Sequence, residues 1–335
     1  MSSSVAVPRG AVGVLSLGGT IAMAHAPASG PDGVVPRLTG ADLVAAVPDL
    51  VNGPELWFSD VRQVPGASLG IDDIAELAET LHACEAAGAA GFVVTQGTDT
   101  LEETAALLDL LYRGSAPLVL TGAMRNPTMA GADGPANLLA AVRTAADPAA
   151  RDRGALVVFA DQIHAARHVR KTHSTSPGAF ASPAAGPVGH ITEGRVRFHF
   201  SFTRTRNIRV PFVRRAEVEV IPVSLGSGGV FLDGLEERLD GAVVAAFGAG
   251  HVPAGWVTRL EEIAARIPLV LASRTGAGPV LSGTYGFAGS ETDLLSRGLI
   301  SAGDLDPLKA RLLLLALLRS GTSRSAISDA FTTLP

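Results

Sequence analysis

Gly91-Phe92-Val93-Val94-Thr95-Gln96-Gly97-Thr98-Asp99-Thr100-Leu101-Glu102-Glu103-Thr104 is the stretch on which the fold class turns. The run Gly91–Thr95 has no polar residue alternating with its apolar ones, which predicts a strand buried on both faces. A polar turn follows. Leu101–Tyr112 then carries apolar residues at helical spacing, and Thr98 or Asp99 can cap it. A buried strand leading through a short loop into a helix is half of a βα unit. The same alternation recurs on either side: strands are expected at Val12–Leu17, Leu56–Val64, Leu118–Thr121 and Leu156–Ala160, and helices at Ala41–Val47, Asp72–Ala87 and Pro135–Ala146. Asp72-Asp73 near one helix start and Gly88 just past its end supply caps. The pattern predicts an α/β fold with a larger N-terminal domain around a mostly parallel, doubly wound sheet, where ligands bind beyond the carboxyl ends of the strands.

From about Asp161 to Phe202 the pattern becomes irregular, and Thr203–Val220, rich in Arg with one Pro, reads as a linker. A second α/β series follows at Ala242–Ala246, Trp256–Arg266 and Pro268–Ala272, with a final helix from about Asp306, which can cap it while Pro307 fits the first turn. The expected organisation is a domain over residues 1–202, a linker over 203–220 and a smaller α/β domain over 221–335. A chain of 335 residues, 47% of them hydrophobic, exceeds the size at which one core stops growing. No internal repeat is evident, and the loop at 18–40, rich in Gly, Pro and Ala, is the candidate lid.

Net charge is −5, and the basic residues are scattered apart from short clusters near 167–171 and 204–215, which argues against a nucleic-acid partner. The apolar run Leu312–Leu318 is far short of the ~18 residues a membrane span needs, so no membrane association is expected. The single cysteine, Cys84, sits in an alanine-rich helical stretch, cannot form an internal disulfide and reads as a small buried side chain. Arg9, the run Ala11–Leu17 and Ala24-His25-Ala26 imitate a secretion signal with its cleavage site. Cleavage there would remove Thr20, and Gly18-Gly19 breaks the apolar run, so the segment reads as a buried strand and the expected compartment is the cytoplasm.

Two strand-end loops, Leu17-Gly18-Gly19-Thr20-Ile21-Ala22 and Gln96-Gly97-Thr98-Asp99-Thr100, carry the candidate chemistry. Hydrolysis of a carboxamide needs a nucleophile, a base to activate it, donors for the oxyanion and a proton for departing ammonia. Thr20 and Thr98 can aim two hydroxyls at one carbonyl if Gly19 and Gly97 let the backbones approach. Taken singly, each loop reads equally well as a tight turn or a threonine cap.

Taken together, these segments resemble the two-threonine L-asparaginases of bacteria. Thr95–Thr104 is similar almost letter for letter to that family's second threonine motif, and Thr121-Gly122-Ala123-Met124-Arg125, Ala132-Asp133-Gly134-Pro135 with Asn137, Asp161-Gln162, Ala166-Arg167, Lys171-Thr172, Tyr285-Gly286 and Asp306–Arg311 match further segments in order. The resemblance implies an L-asparagine amidohydrolase acting on a small-molecule amide without metal or cofactor, in which Thr20 is the nucleophile of an acyl-enzyme, Thr98 and Lys171 handle protons, and Asp99 holds the substrate ammonium. It implies that the backbone near Thr98 and Ala123 stabilises the oxyanion, that Gly66, Ala67 and Ser68 occupy the substrate-binding loop, and that four copies assemble as a dimer of dimers, neighbouring smaller domains completing each site.

The chain departs from the family in two places. The lid lacks the usual tyrosine, whose position falls near Gly33, with His25 as a possible substitute or a plain loop histidine. The positions of a serine and the residue after it are taken by Gly66 and Ala67, and His251 in Gly248-Ala249-Gly250-His251 is either a substrate contact or a helix-entry residue. Two other readings stay open. Gly66-Ala67-Ser68-Leu69-Gly70 satisfies the nucleophile-elbow pattern of serine hydrolases, although 38 glycines make a chance match easy. Without the lid tyrosine, the chain also fits a weakly active or non-catalytic amino-acid binder. His164, His168 and His173 lack acidic or cysteine partners at metal-ligand spacing.

Overall fold

The computed structural model describes residues 7–19, 21, 23–25, 34–36, 42, 46–202, 204, 207–208 and 212–333. The chain divides into two compact units, Met1–Arg204 and Thr205–Pro335. In the first unit the strands are β1 (Val12–Ser16), β2 (Met23–His25), β3 (Val34–Pro36), β4 (Leu56–Asp60), β5 (Gly91–Thr95), β6 (Leu118–Thr121), β7 (Ala155–Phe159), β8 (Gln162–Ala165), β9 (Arg170–Lys171), β10 (Phe180–Ala181), β11 (Gly189–Thr192) and β12 (Arg195–Phe198). Its longer helices are α1 (Ile71–Ala86), α2 (Leu101–Leu111) and α3 (Gly134–Ala146).

Eight strands form one sheet in the order β12-β11-β8-β7-β6-β5-β1-β4. The segment from β4 to β7 is parallel, and β8, β11 and β12 extend it antiparallel. Every residue of β1, β5, β6 and β7 is buried, because helices cover both faces. Alternation sorts the side chains: Val12, Val14, Val93, Val119, Leu156 and Val158 pack with Leu138, Ala141, Val142 and Ala145 of α3 in one cluster. Each such large side chain contributes about 1.5 to 3 kcal/mol on burial. Asp73 accepts the Gly70 N–H at 2.9 Å to cap α1, and Gly88 at φ +109° follows its end.

The strand order positions the site. From β1 the chain moves outward to β4, whereas β5 lies on the opposite side of β1 and leads on to β6 and β7. Connections leaving β1 and β5 therefore diverge, which opens a crevice at their carboxyl ends. The two threonine loops leave from those ends.

Several expectations are corrected by the structure. The irregular stretch 161–202 is ordered sheet: β7 and β8 are joined through Ala160 (φ 48°) and Asp161 (φ 60°), and β11 and β12 through Glu193 (φ 51°) and Gly194 (φ 73°). Both are two-residue hairpins with left-handed central residues, and Ala160-Asp161 has none of the Asn-Gly or Asp-Gly wording that announces such turns. Leu56–Val64 ends as strand at Asp60, because Val61 and Arg62 turn to donate to the Ser16 carbonyl at 2.9 and 3.1 Å. Of Ala41–Val47 only residues 42, 46 and 47 are described, and of the 18–40 loop residues 18, 19 and 21 and the β2–β3 pair; Gly33 lies outside the described residues. The segment taken as a linker ends in strand, because Val218 and Ile221 bury themselves on the second sheet.

His164 on β8 is fully buried, with Nδ1 2.9 Å from Ser182 Oγ and no partner at Nε2 among the described residues. Burial, followed by the charge of His190, pushes its pKa down to about 4. A histidine held neutral in the folded state gives its full stability above the unfolded value near 6.5 and loses it as pH falls toward 4. Stability at pH 5 should be about 2 kcal/mol below that at pH 7 from this residue. His164→Leu should remove that share of the difference in urea titrations at the two pH values, and an unaltered pH slope would disprove the assignment.

The second unit contains a parallel four-stranded sheet ordered β13-β14-β15-β16 from β13 (Val218–Pro222), β14 (Gly241–Ala246), β15 (Leu269–Ser273) and β16 (Ile300–Ser301). Its helices are α4 (Leu235–Arg238), α5 (Val257–Arg266), α6 (Glu291–Ser296), α7 (Pro307–Arg319) and α8 (Arg324–Thr333). Trp256 anchors the core with Leu260, Ile263, Leu269 and Leu271 and donates from Nε1 to the Ser227 carbonyl at 3.0 Å. Asp306 caps α7 by accepting from Leu308 and Lys309 N–H, with Pro307 in the first turn. That helix is not the last, because Gly321 at φ +75° turns the chain into α8.

Candidate active site

The first and second threonine loops meet through glycines. A side chain at Gly19 would place its β-carbon 2.0 Å from Gly97 N and 2.2 Å from Gly97 Cα, and Gly19 has φ +89°. Only glycine meets both demands. Gly66 also abuts Gly97, its would-be β-carbon 3.0 Å from the Gly97 carbonyl oxygen. Three loops thus stack backbone on backbone at the crevice. Thr20 itself lies outside the described residues, between Gly19 and Ile21.

Lys171 joins this stack from the short β9–β10 hairpin. Its Nζ donates to Thr98 Oγ1 at 3.0 Å and to Asp99 Oδ1 at 2.8 Å. Thr98 is buried, the Lys171 side chain is 15% exposed and that of Asp99 is 71% exposed, so one carboxylate face looks to solvent. A hydroxyl that accepts from an ammonium at hydrogen-bond distance in a partly desolvated loop is placed to relay a proton. The loop is held from behind: Gln96 Nε2 donates to Thr100 Oγ1 at 3.0 Å, and Thr100 Oγ1 donates to the Gly66 carbonyl at 2.9 Å. Glu102 Oε2 accepts the Lys171 backbone N–H at 3.1 Å. The motif containing Gln96, Thr100 and Glu102 is legible in the sequence, but the contacts that Thr100 and Glu102 make across the fold are not, since the Gly66 carbonyl and the Lys171 N–H are backbone groups 34 and 69 positions away.

Ala123 is fully buried, so any part it plays falls to its backbone. That backbone is fixed by two side chains. Asp133 accepts from Met124 N–H at 3.0 Å and Arg125 N–H at 2.8 Å. Buried Asn137 donates from Nδ2 to the Gly122 carbonyl at 3.0 Å and to Asp133 at 3.1 Å, while its Oδ1 accepts the Ala160 N–H at 3.0 Å. Asn137→Ala strands a buried carbonyl and a backbone N–H, and should cost about 2 to 4 kcal/mol in urea unfolding. A loss under about 1 kcal/mol would show that the loop does not depend on this residue.

Ala67 and Ser68 are exposed, and Ser68 ends a 3-10 turn over Gly66–Ser68. Among the described residues the non-glycine positions with positive φ are Asp152, Ala160, Asp161 and Glu193. Ser68 is not among them, so it lacks the strained conformation of a nucleophile elbow. In the second unit His251 closes a tight turn by bridging to Phe247, with Nε2 3.2 Å from Glu291 Oε2 and its ring packed on Tyr285 and Phe287 at 4.8 and 5.0 Å. Glu291 is fully buried; burial would raise its pKa, but N–H donors from Tyr285 and Thr284 outweigh that and hold it low.

Comparison with known proteins gives a consistent match over nearly all of the chain. A family model for "Asparaginase, N-terminal" covers residues 11–204, and one for "Glutaminase/Asparaginase C-terminal domain" covers 217–331. A "Probable L-asparaginase" of Deinococcus radiodurans is 37% identical over 97% of this chain and 98% of its own length. A "Glutaminase-asparaginase" of Pseudomonas aeruginosa is 32% identical over 90% of this chain and 84% of its own. The crystal structure described as "Probable Cytoplasmic L-asparaginase" from Campylobacter jejuni superposes with a TM-score of 0.86 at 32% identity, covering 97% of this chain and 100% of that one.

Proposed function

The chain belongs to the asparaginase family, and from that premise we propose that it hydrolyses L-asparagine to L-aspartate and ammonia through a threonine nucleophile. The observation that carries this reading is the convergence of Lys171 Nζ on Thr98 Oγ1 and Asp99, beside the Gly19–Gly97 contact that brings the loop before Thr20 against the loop before Thr98. Thr20 Oγ attacks the side-chain carboxamide as its proton passes to Thr98 Oγ1 and the Thr98 proton passes to Lys171 Nζ, which takes it up as the neutral amine. The tetrahedral oxyanion is met by backbone N–H groups of the Thr98 loop and the region of Ala123. Collapse breaks the C–N bond, the relayed proton leaves with ammonia, and water repeats the attack on the acyl-enzyme to release L-aspartate. Asp99 offers its solvent-facing oxygen to the substrate ammonium as a charge-assisted partner. The Gly66-Ala67-Ser68 turn, exposed at Ala67 and Ser68, faces the substrate's α-carbon.

Ammonia release measured over L-Asn, D-Asn, L-Gln and simple peptide amides tests the proposal, with L-Asn expected to react fastest. Measurable amide binding without release from any of them would favour an amino-acid binder instead. Reaction only of amides lacking a free α-amine would refute the role given to Asp99, and loss of activity in Ser68→Ala while Thr20→Ala remains active would revive the serine reading.

We place the enzyme in the cytoplasm and assign it a homotetramer. The first rests on β1, where the run that imitates a secretion signal is a fully buried strand paired on both sides; the second rests on family resemblance and is checked by light scattering at four times the 34.2 kDa chain mass. Among the described residues no helix is long and apolar enough to cross a membrane.

A further inference from the structure

Lys171 stands on a strand of two residues, paired among the described residues with Phe180 and Ala181 and separate from the main sheet. On one side the hairpin is tied to β7 and β8: the Phe180 ring lies 4.6 Å from that of Phe159, and Ser182 reaches His164 at 2.9 Å. On the Thr98 side its backbone tie is the bond from the Lys171 N–H to Glu102 Oε2 at 3.1 Å. Glu102 sits in the first turn of α2, the helix whose entry loop holds Thr98 and Asp99. The same rigid element therefore presents the hydroxyl and grips the residue whose ammonium must meet it. Glu103 occupies the same first turn and suffices to complement the helix dipole, so that effect alone does not require Glu102 to reach across 69 positions.

We propose that Glu102 is a positioning residue, which clamps the backbone of Lys171 to the start of α2 and so sets the distance from Nζ to Thr98 Oγ1. This rests on the reading of Thr98 and Lys171 as the proton-handling pair. What the clamp needs is an acceptor oxygen, which glutamine keeps and alanine lacks. Displacing a catalytic group on the order of 1 Å costs about a hundredfold in rate, so Glu102→Ala should lower kcat for L-asparagine about 10- to 100-fold. Because Asp99 is untouched, KM should stay within about threefold, and Glu102→Gln should retain kcat within about threefold.

Hydrogen exchange at the Lys171 amide reads the clamp without reference to turnover: it should quicken about tenfold or more in Glu102→Ala and stay protected in Glu102→Gln. Unchanged kcat in Glu102→Ala, equal impairment of both variants, or a rise in KM with kcat intact would each overturn the proposal. If the unaltered protein releases no ammonia from L-asparagine, the functional reading fails by itself, and exchange decides the clamp: an amide equally protected in all three proteins overturns it.

Discussion

Replacing Lys171 by methionine is expected to lower kcat for L-asparagine about a thousandfold, the range in which a positioned proton donor or acceptor acts. Nζ is the group 3.0 Å from Thr98 Oγ1, and methionine keeps an unbranched chain of similar reach while removing every side-chain N–H. The fold should be little affected. The ion pair lost is with Asp99, whose side chain is 71% exposed, and pairs so open to water add little to stability. Thr98→Val removes the other half of the relay in nearly the same volume and should give a comparable loss. Since the two act as one unit, the double variant should be scarcely slower than either single one. Steady-state ammonia release on the four proteins measures this, and additive losses would mean that Thr98 and Lys171 serve separate steps. A Lys171→Met enzyme within about tenfold of the parent would remove Lys171 from the chemistry altogether.

Gly19→Ala should be the most damaging substitution of a single hydrogen by a methyl group. The new β-carbon falls 2.0 Å from Gly97 N, where ordinary contact begins at 3.4 Å, and both neighbours are backbone atoms that cannot rotate away. A φ of +89° adds left-handed strain of about 1 to 2 kcal/mol. The two threonine loops must therefore part, and the expected results are a loss of about 2 to 4 kcal/mol in urea unfolding together with a fall in kcat of about a hundredfold. Gly10→Ala is the control, since Gly10 has φ +83° but nothing within 4 Å of its would-be β-carbon. It should show the strain without the loss of activity. Equal effects in the two variants would mean that backbone strain, and not the approach of the loops, governs Gly19.

The βα repeat and its caps were legible because they are local. Gly91–Thr95 and Leu118–Thr121 are strands over the residues their patterns predict, and α2 starts at Leu101. A buried strand needs only its own apolar run to be read, and a helix only its period and its first turn. The antiparallel part of the sheet was not legible. Arg195-Val196-Arg197-Phe198 does alternate polar with apolar residues, and Val196 and Phe198 pack against the core, but a run of only four residues is too short to stand out as a strand in the irregular stretch around it. Lys171 falls in the same stretch. Nothing within ten residues of it distinguishes an active-site lysine from a surface one, apart from the family segment in which it stands.

By itself the sequence determined the fold class, the threonine loops at strand ends and the glycines that let backbones meet, because each follows from short-range spacing or from the absence of a side chain. Tertiary structure decided what those residues face. The order β4-β1-β5 opens the crevice between the two loops, and chain closure over 73 positions brings Lys171 to Thr98. Glu102 and Asn137 acquire their partners, a backbone N–H and a loop carbonyl, only once helices α2 and α3 have packed on opposite faces of the sheet. Hydrogen-bond partners so far apart in the chain leave no mark on its periodicity, and only the packed sheet specifies them.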